Sequence, residues 1–309
     1  MEYQFEFNWT EFCFFSANLV HVFGKKDLTE LYALYLRTAS AVKAQGCDND
    51  LHNHISKTLN ISLLEDCPSL IVSFHYGNYW YLPWELLKEG CKVAILVSSD
   101  VIEKQRTLYL KNLETRLHDS LVFIDAERDS VLYEIKKMSM KGYHIVCYID
   151  GGAGIIPLSM LNKKNLFNIT FGRGLLSVRK GIFEIAYLLQ LPVYYYHQQS
   201  ATLNQENPVC FQPLSTISRS DYVTRVVTEL YSLLYERLFE NLTLWEGWFF
   251  MHHSVDTTLL KNGRDSLYLP FCFEKQYYIM NICNYESREI SSENFDLVQH
   301  KIGYQLGIC

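Results

Sequence analysis

From residue 69 onwards the chain alternates between short apolar runs and segments of helical periodicity, and this alternation limits the folds available to it. The apolar runs are typical of buried strands, and a helix follows each of the first three after a short connection. The predicted strands are residues 69–74, 92–98, 121–125 and 144–149, and the helices between them are 79–87, 102–117 and 130–140. Three such repeats predict an α/β fold whose central sheet is mixed, largely parallel and flanked by helices.

Weaker patterns extend this prediction in both directions. Further helices are predicted at residues 28–43, 51–59, 177–189 and 222–239, and further strands at 168–171, 192–197 and 208–211. The aromatic first 24 residues predict a packing helix, with contact to a membrane or lipid chain as the alternative. We divide the chain into an α/β domain (1–255, with a helical part at 1–60) and a C-terminal appendage (256–309) that lacks a clear pattern.

Composition narrows the functional classes. The chain has 309 residues and a net charge of -6 without a long basic run, which argues against nucleic-acid binding. Its nine cysteines form no Cys-x-x-Cys pair and no secretory signal is visible, so we expect a cytoplasmic protein without a disulfide framework. We expect no spanning helix, although peripheral membrane contact stays open. The adjacent His252 and His253 do not predict a metal site, and no cofactor is expected.

The first predicted strand leads directly into a candidate catalytic residue. His75 follows the apolar run, and a Gly77-Asn78 turn then connects it to the next helix. In open α/β sheets, ligands bind beyond the carboxyl ends of the strands, and helix N-termini there favour negative charge. Since imidazole titrates near pH 7, His75 is a candidate general base. The alternative is a hydrogen-bonded histidine that only ends a strand.

Two other loops also follow predicted strands. Asp150 stands before Gly151 and Gly152, and Gly172-Arg173-Gly174 follows the strand at 168–171. If the three loops meet at one edge of the sheet, a base, an acid and a cation converge there. Such a set is sufficient for acyl transfer.

At this point the sequence resembles the bacterial lipid A biosynthesis (lauroyl/myristoyl) acyltransferase family, within the glycerolipid acyltransferase superfamily. The similar stretches follow the family's order over about residues 30–255. They are Phe74-His75-Tyr76-Gly77-Asn78-Tyr79-Trp80, Tyr148-Ile149-Asp150-Gly151, Ile169-Thr170-Phe171-Gly172-Arg173, Lys180-Gly181 through Pro192-Val193, and the tryptophan-rich run from Trp245 to His252. No one stretch is specific, but five in order are.

The resemblance implies roles for these residues and also exposes a departure. His75 would deprotonate a hydroxyl or amine acceptor, and Arg173 or the backbone at Gly77 and Asn78 would stabilise the oxyanion. The family places an acid five residues after the histidine, whereas this chain has Trp80 there. Asp150 is our first candidate for the missing acid.

Glu85, further along the helix, is the second candidate for that acid. Aromatic residues near the site would line an acyl tunnel, with core packing as the alternative: Tyr76, Tyr79, Trp80 and Trp84. Gly151 and Gly172 complete the expected substrate-binding set.

The resemblance also implies the partners. The donor would be a thioester of acyl carrier protein or coenzyme A, and the acceptor a small molecule, a peptide or a carrier-bound intermediate. Because carrier proteins are acidic, a basic docking patch is expected. The candidate clusters are Lys104, Arg106, Lys111 and Arg116, or Lys163, Lys164, Arg179 and Lys180. A thioesterase on the same scaffold and a non-catalytic binder of acyl chains or partners are the alternative functions.

Overall fold

The computed structural model of the protein describes residues 7–47, 64, 67–151, 165–196, 208–257, 260 and 266–308. Its helices are α1 (Trp9–Phe23), α2 (Leu28–Cys47), α3 (Tyr81–Lys88), α4 (Ile102–Asn112), α5 (Val131–Met140), α6 (Gly181–Leu189), α7 (Arg219–Asn241) and α8 (Ser292–Leu306). Its strands are β1 (Leu70–Ser73), β2 (Lys92–Val97), β3 (Leu121–Asp125), β4 (Tyr143–Tyr148), β5 (Leu166–Phe171), β6 (Gly174–Arg179), β7 (Val193–Tyr195), β8 (Val209–Phe211), β9 (Tyr268–Phe273), β10 (Gln276–Asn281) and β11 (Glu286–Glu289). The predicted helix at 51–59 lies outside the described residues.

Six strands form the central sheet in the order β3-β2-β4-β1-β7-β8. All neighbours are parallel except β7 and β8, which run antiparallel. The chain therefore has the predicted α/β fold with a mixed, largely parallel sheet. The strands nearest the middle are almost wholly apolar and buried on both faces, as sheets covered by helices require.

The segment after β5 differs from the prediction. Residues 177–189 were expected to be one helix, but residues Gly174–Arg179 form β6 and α6 begins only at Gly181. Strand β6 pairs antiparallel with β5, and Gly172 makes the turn with a φ of 61°. Its Leu176 and Val178 are buried in the core. Pairing with β5 thus overrides the local helical pattern.

The predicted helix at 102–117 is also shorter than expected. Helix α4 ends at Asn112, and a 3₁₀ segment, Thr115–Ser120, leads into β3.

The aromatic N-terminus forms the expected packing helix. Phe12 and Phe15 of α1 are fully buried, and both rings contact Tyr35 of α2. Among the described helices, none is sufficiently long and apolar to cross a membrane.

The C-terminal residues form a three-stranded antiparallel sheet, β11-β10-β9, followed by α8. This sheet packs on α1, where the hydroxyl of Thr10 donates to the carbonyl of Cys272 and accepts from its N–H, both at 3.1 Å. Deeper in the same interface, the hydroxyl of Tyr285 donates to Oδ1 of the buried Asn18. The last elements therefore share the core of α1, while the division at residue 255 stays a prediction.

Candidate active site

His75 and Asp150 lie side by side because β1 and β4 are neighbours in register. Ser73 is opposite Tyr148 in the parallel pairing, and each site residue follows two positions later on its own strand. Adjacent strands are about 4.8 Å apart, which brings two side chains at the same level within hydrogen-bonding reach. The site therefore sits beyond the carboxyl ends of the central strands, as predicted.

The carboxylate of Asp150 holds His75 at three points. The backbone N–H of His75 donates to both oxygens, at 3.1 and 3.0 Å, and the Nδ1 of its ring lies 2.8 Å from Oδ1. The side chain of Asp150 is only 3% exposed, whereas that of His75 is 21% exposed. Since the carboxylate of Asp150 accepts a hydrogen bond from Nδ1–H, the neutral imidazole carries its proton on Nδ1 and presents an unprotonated Nε2. Within the described part of the chain, this Nε2 forms no hydrogen bond.

A 3₁₀ segment, Glu246–Phe249, and the residues just before it close one side of the site. The indole N–H of Trp245 donates to Oδ2 of Asp150 at 2.6 Å, so both carboxylate oxygens are engaged. The backbone N–H of Glu246 donates to the carbonyl of His75 at 3.0 Å. The hydroxyl of Tyr79 in turn donates to Oε2 of Glu246 at 2.8 Å.

Burial and charge act on His75 in opposite directions. Burial lowers the pKa of the imidazole, but the charge and hydrogen bond of Asp150 and the charge of Glu246 raise it, and the net pKa lies above the ordinary histidine value. Burial raises the pKa of Tyr79 well above its ordinary value, and the charges of Glu246 and Asp150 raise it further. Tyr79 is therefore a neutral hydrogen-bond donor, and His75 is a stronger base than a free histidine.

Aromatic rings surround the imidazole. The ring centroids of Tyr79, Tyr148 and Phe250 lie 4.7, 5.0 and 6.2 Å from that of His75. The hydroxyl of Tyr148 also donates to the carbonyl of Tyr79 at 2.8 Å, which fixes two of these rings relative to each other. Gly151 leaves room on another side, because a Cβ there would stand 3.5 Å from Cε1 of His75.

A small cleft of about 40 Å³ opens beside Asp150. Its walls are mainly apolar and come from β5, β6 and the residues around Phe250. Its polar lining includes Arg179 and His253. The guanidinium of Arg179, at the end of β6, is exposed and forms no ion pair or hydrogen bond with the described residues.

The predicted cation, Arg173, is not at this site. It lies in the β5–β6 turn, where its backbone N–H donates to the carbonyl of Val22 and its guanidinium packs over Gly24 at the end of α1. Gly172 packs on the same end of α1 and does not line the cleft. The expectation that all three loops meet at one edge is therefore wrong, because the third is the tip of a hairpin that points to α1.

The predicted oxyanion donor at Gly77 is also engaged elsewhere. Its backbone N–H donates to the carbonyl of Leu244 at 2.9 Å, so it is not free for a substrate. Asn78 is exposed, and its carbonyl accepts from Tyr81 at the start of α3. Glu85 is buried in α3 and makes no hydrogen bond to His75 within the described residues. Of the two candidate acids, Asp150 and Glu85, it is thus Asp150 that pairs with His75.

The predicted tunnel aromatics divide into two groups. Tyr79 contacts His75, and Trp80 stacks on Tyr79 with ring centroids 4.9 Å apart. Tyr76 instead donates to the carbonyls of Arg237 and Asn241, and Trp84 stacks on Tyr109 in the core. The last two are packing residues.

Sequence reasoning did not assign roles to Trp245, Glu246 and Phe250, and it placed Arg179 in a docking cluster and not at this site. The first three belong to the tryptophan-rich run already singled out at 245–252, which was the only local signal for them. Among the described residues, no cluster of His, Cys, Asp and Glu could hold a metal ion. No protein-family model matches this sequence, and no curated protein matches it significantly.

Proposed function

We propose that this protein is an acyltransferase that moves an acyl group from a thioester to a hydroxyl or amine, with His75 as the general base. The observation that carries the proposal is the His75–Asp150 pair with an open Nε2. Among the described residues, no serine, threonine or cysteine side chain is hydrogen-bonded to His75. A pair without a nucleophile suits direct attack by an acceptor better than a covalent enzyme intermediate.

The reaction follows from this arrangement. Nε2 of His75 removes the proton of the acceptor hydroxyl as its oxygen forms a bond to the thioester carbonyl carbon. Asp150 stabilises the imidazolium that results. Collapse of the tetrahedral intermediate breaks the carbon–sulfur bond, and the imidazolium returns the proton to the departing thiolate. The products are an ester and a free thiol.

Arg179 is the candidate for stabilising the oxyanion in place of Arg173. It lines the same cleft as Asp150, and its charge is not neutralised by a described partner. Removal of one donor of this kind typically costs about 3 kcal/mol of transition-state stabilisation.

A thioesterase is the second candidate function. The side chain of His75 is 21% exposed, so water can reach the imidazole. A water held near Nε2 would attack the same thioester and release the free acid.

The test is mass spectrometry of a panel of acyl-carrier proteins and acyl-coenzyme A donors, incubated with wild type or His75→Ala, without acceptor and then with cell extract. We expect wild type to deacylate a donor when extract is present and to leave it intact without extract. His75→Ala should leave the donor intact in both cases. Deacylation without extract indicates the thioesterase instead. His118→Ala is the matched control, because His118 lies in the 3₁₀ segment before β3 and, among the described residues, its ring bonds the carbonyl of Leu113 and not a site residue. Intact donors under every condition would overturn the proposal.

The donor class has its own test. In the cluster on α4 and the residues after it, Arg106 pairs with Glu103 and Arg116 with Glu114. Lys180 of the other cluster pairs with Glu184, and residues 163 and 164 lie outside the described residues. If the donor is a carrier protein, charge reversal in one cluster should weaken its use in a salt-dependent way.

A further inference from the structure

A second carboxylate stands beside the candidate base without being part of the His75–Asp150 pair. Glu246 follows Trp245 directly, and its backbone N–H is bonded to the carbonyl of His75. Its side chain reaches the hydroxyl of Tyr79, whose ring touches the imidazole. General-base chemistry needs one carboxylate at Nδ1, and Asp150 already fills that place. The second carboxylate is therefore available for another purpose.

The position of Glu246 is fixed from two sides. The hydrogen bond at its backbone ties it to the end of β1, and the 2.8 Å bond to Tyr79 holds one carboxylate oxygen. The other oxygen, Oε1, makes no hydrogen bond within the described part of the chain. The residue is partly exposed, so this oxygen can receive a ligand. Within the described residues, no lysine or arginine forms an ion pair with Glu246.

The surroundings suit a positive charge with an apolar body. Tyr79, Tyr148 and Phe250 border the imidazole, and Trp80 extends this wall by stacking on Tyr79. Aromatic faces attract cations, and a carboxylate next to them gives a charge-assisted hydrogen bond to an ammonium group. A neutral hydroxyl gains much less from this combination.

We propose that Glu246, held by Tyr79, recognises the ammonium group of a primary-amine acceptor and delivers its nitrogen to His75. This inference rests on the proposed acyl transfer and names its acceptor class. The bound ammonium first loses one proton to water. The nitrogen of the neutral amine then bonds to the thioester carbonyl carbon, and Nε2 of His75 takes a second proton. The carbon–sulfur bond breaks, the thiolate receives that proton, and the products are an amide and a thiol.

Binding in the absence of a donor tests the inference. We would titrate wild type and Glu246→Gln at pH 7 with n-hexylamine and with n-hexanol, which share their chain but not their charge, and follow the ring protons of His75 by NMR. Wild type should bind the amine about tenfold or more tightly than the alcohol. Glu246→Gln should abolish that preference, and Tyr79→Phe should reduce it because the carboxylate loses its anchor.

Glu229→Gln is the matched control, because Glu229 is an exposed residue of α7 whose ion-pair partner among the described residues is Arg225. It should keep the full preference. The ratio of the two affinities within one variant also corrects for any loss of folded protein. A preference that survives in Glu246→Gln, or that is absent in wild type, overturns the inference. Failure of the donor assay with the preference intact overturns the acyltransferase proposal, and with it the delivery of nitrogen to His75, but leaves Glu246 as a residue that binds ammonium.

Discussion

Replacement of Asp150 by asparagine is the change that should alter the site most for the least change in volume. Its carboxylate accepts hydrogen bonds from the backbone and ring of His75 and from the indole of Trp245. An amide has one accepting oxygen and one donating nitrogen. At least one N–H group of His75 or Trp245 must then face the N–H of the new amide. Because the side chain at position 150 is only 3% exposed, water cannot replace the lost acceptor.

The arrangement of the three donors decides which contact is lost. If the amide oxygen keeps the 2.6 Å bond to Trp245, the amide nitrogen faces Nδ1 of His75. Nδ1 must then accept, so the ring proton moves to Nε2 and the imidazole can no longer take a proton there. In a Ser-His-Asp triad the corresponding change lowers kcat about 10⁴-fold. That is about 5 kcal/mol of barrier, and we expect a loss of this order here.

Two measurements test this reasoning. Donor deacylation followed by mass spectrometry gives the rate, and ¹⁵N NMR of the imidazole shows which ring nitrogen carries the proton. In Asp150→Asn the proton of the neutral ring should move from Nδ1 to Nε2. Asp125→Asn is the matched control, because Asp125 ends β3 at the same edge of the sheet and accepts from Ser99, Glu127 and Arg128. It should lose stability without a change at His75.

Either of two results would refute the argument. A variant with an unchanged tautomer would show that Asp150 does not set the state of the ring. A tautomer that shifts while the deacylation rate stays within about threefold would show that Nε2 is not the base.

Three further predictions follow from the same contacts. Trp245→Phe removes one hydrogen bond to a buried carboxylate, so the free energy of unfolding in urea should fall by about 2 kcal/mol and the rate should fall with it. Gly172→Ala should lower the free energy of unfolding by about 2–4 kcal/mol, since the φ of Gly172 is 61° and a Cβ there would stand 2.5 Å from a carbonyl oxygen of α1. Gly90 also has a positive φ but lies in open space, so Gly90→Ala should cost about 1 kcal/mol in the same assay. The rate of acyl transfer should fall as pH drops through the raised pKa of His75, so the acidic limb of its pH profile should lie above the usual histidine value of about 6.5.

The sequence predicted the central sheet well because its signals were local. Strands β1 to β4 are short apolar runs bounded by turns, and their observed ends lie within one residue of the predicted ones. The β5–β6 hairpin was missed because Gly174–Arg179 is a strand only through its pairing with β5. The same error explains why Arg173, and not Arg179, was predicted as the cation of the site. Arg173 stands in the turn and Arg179 at the far end of β6, so the hairpin decides which of them lines the cleft.

The candidate site was predictable only in part, because it combines distant segments. His75 and Asp150 could each be placed at a strand end, but their contact requires β1 and β4 to be neighbours. The chain forms β2 and β3 between these two strands, and no local pattern fixes the order of strands in the sheet. Trp245 and Glu246 come about 170 residues after His75, just before and at the start of a 3₁₀ segment that packs against α1.

The carboxylate that pairs with His75 comes from Asp150, two residues after β4, so the proposed base needs no acid at position 80. Nδ1 of His75 needs a carboxylate oxygen at hydrogen-bond distance, and that requirement is the same whether the oxygen comes from a following helix or a neighbouring strand. The register of β1 and β4 supplies it from Asp150 at 2.8 Å. Residue 80 therefore does not need to carry a carboxylate. The indole of Trp80 stacks on Tyr79, whose hydroxyl donates a hydrogen bond to Glu246. An indole at position 80 therefore leaves the His75–Asp150 pair intact and forms part of the aromatic wall against which the proposed acceptor would bind.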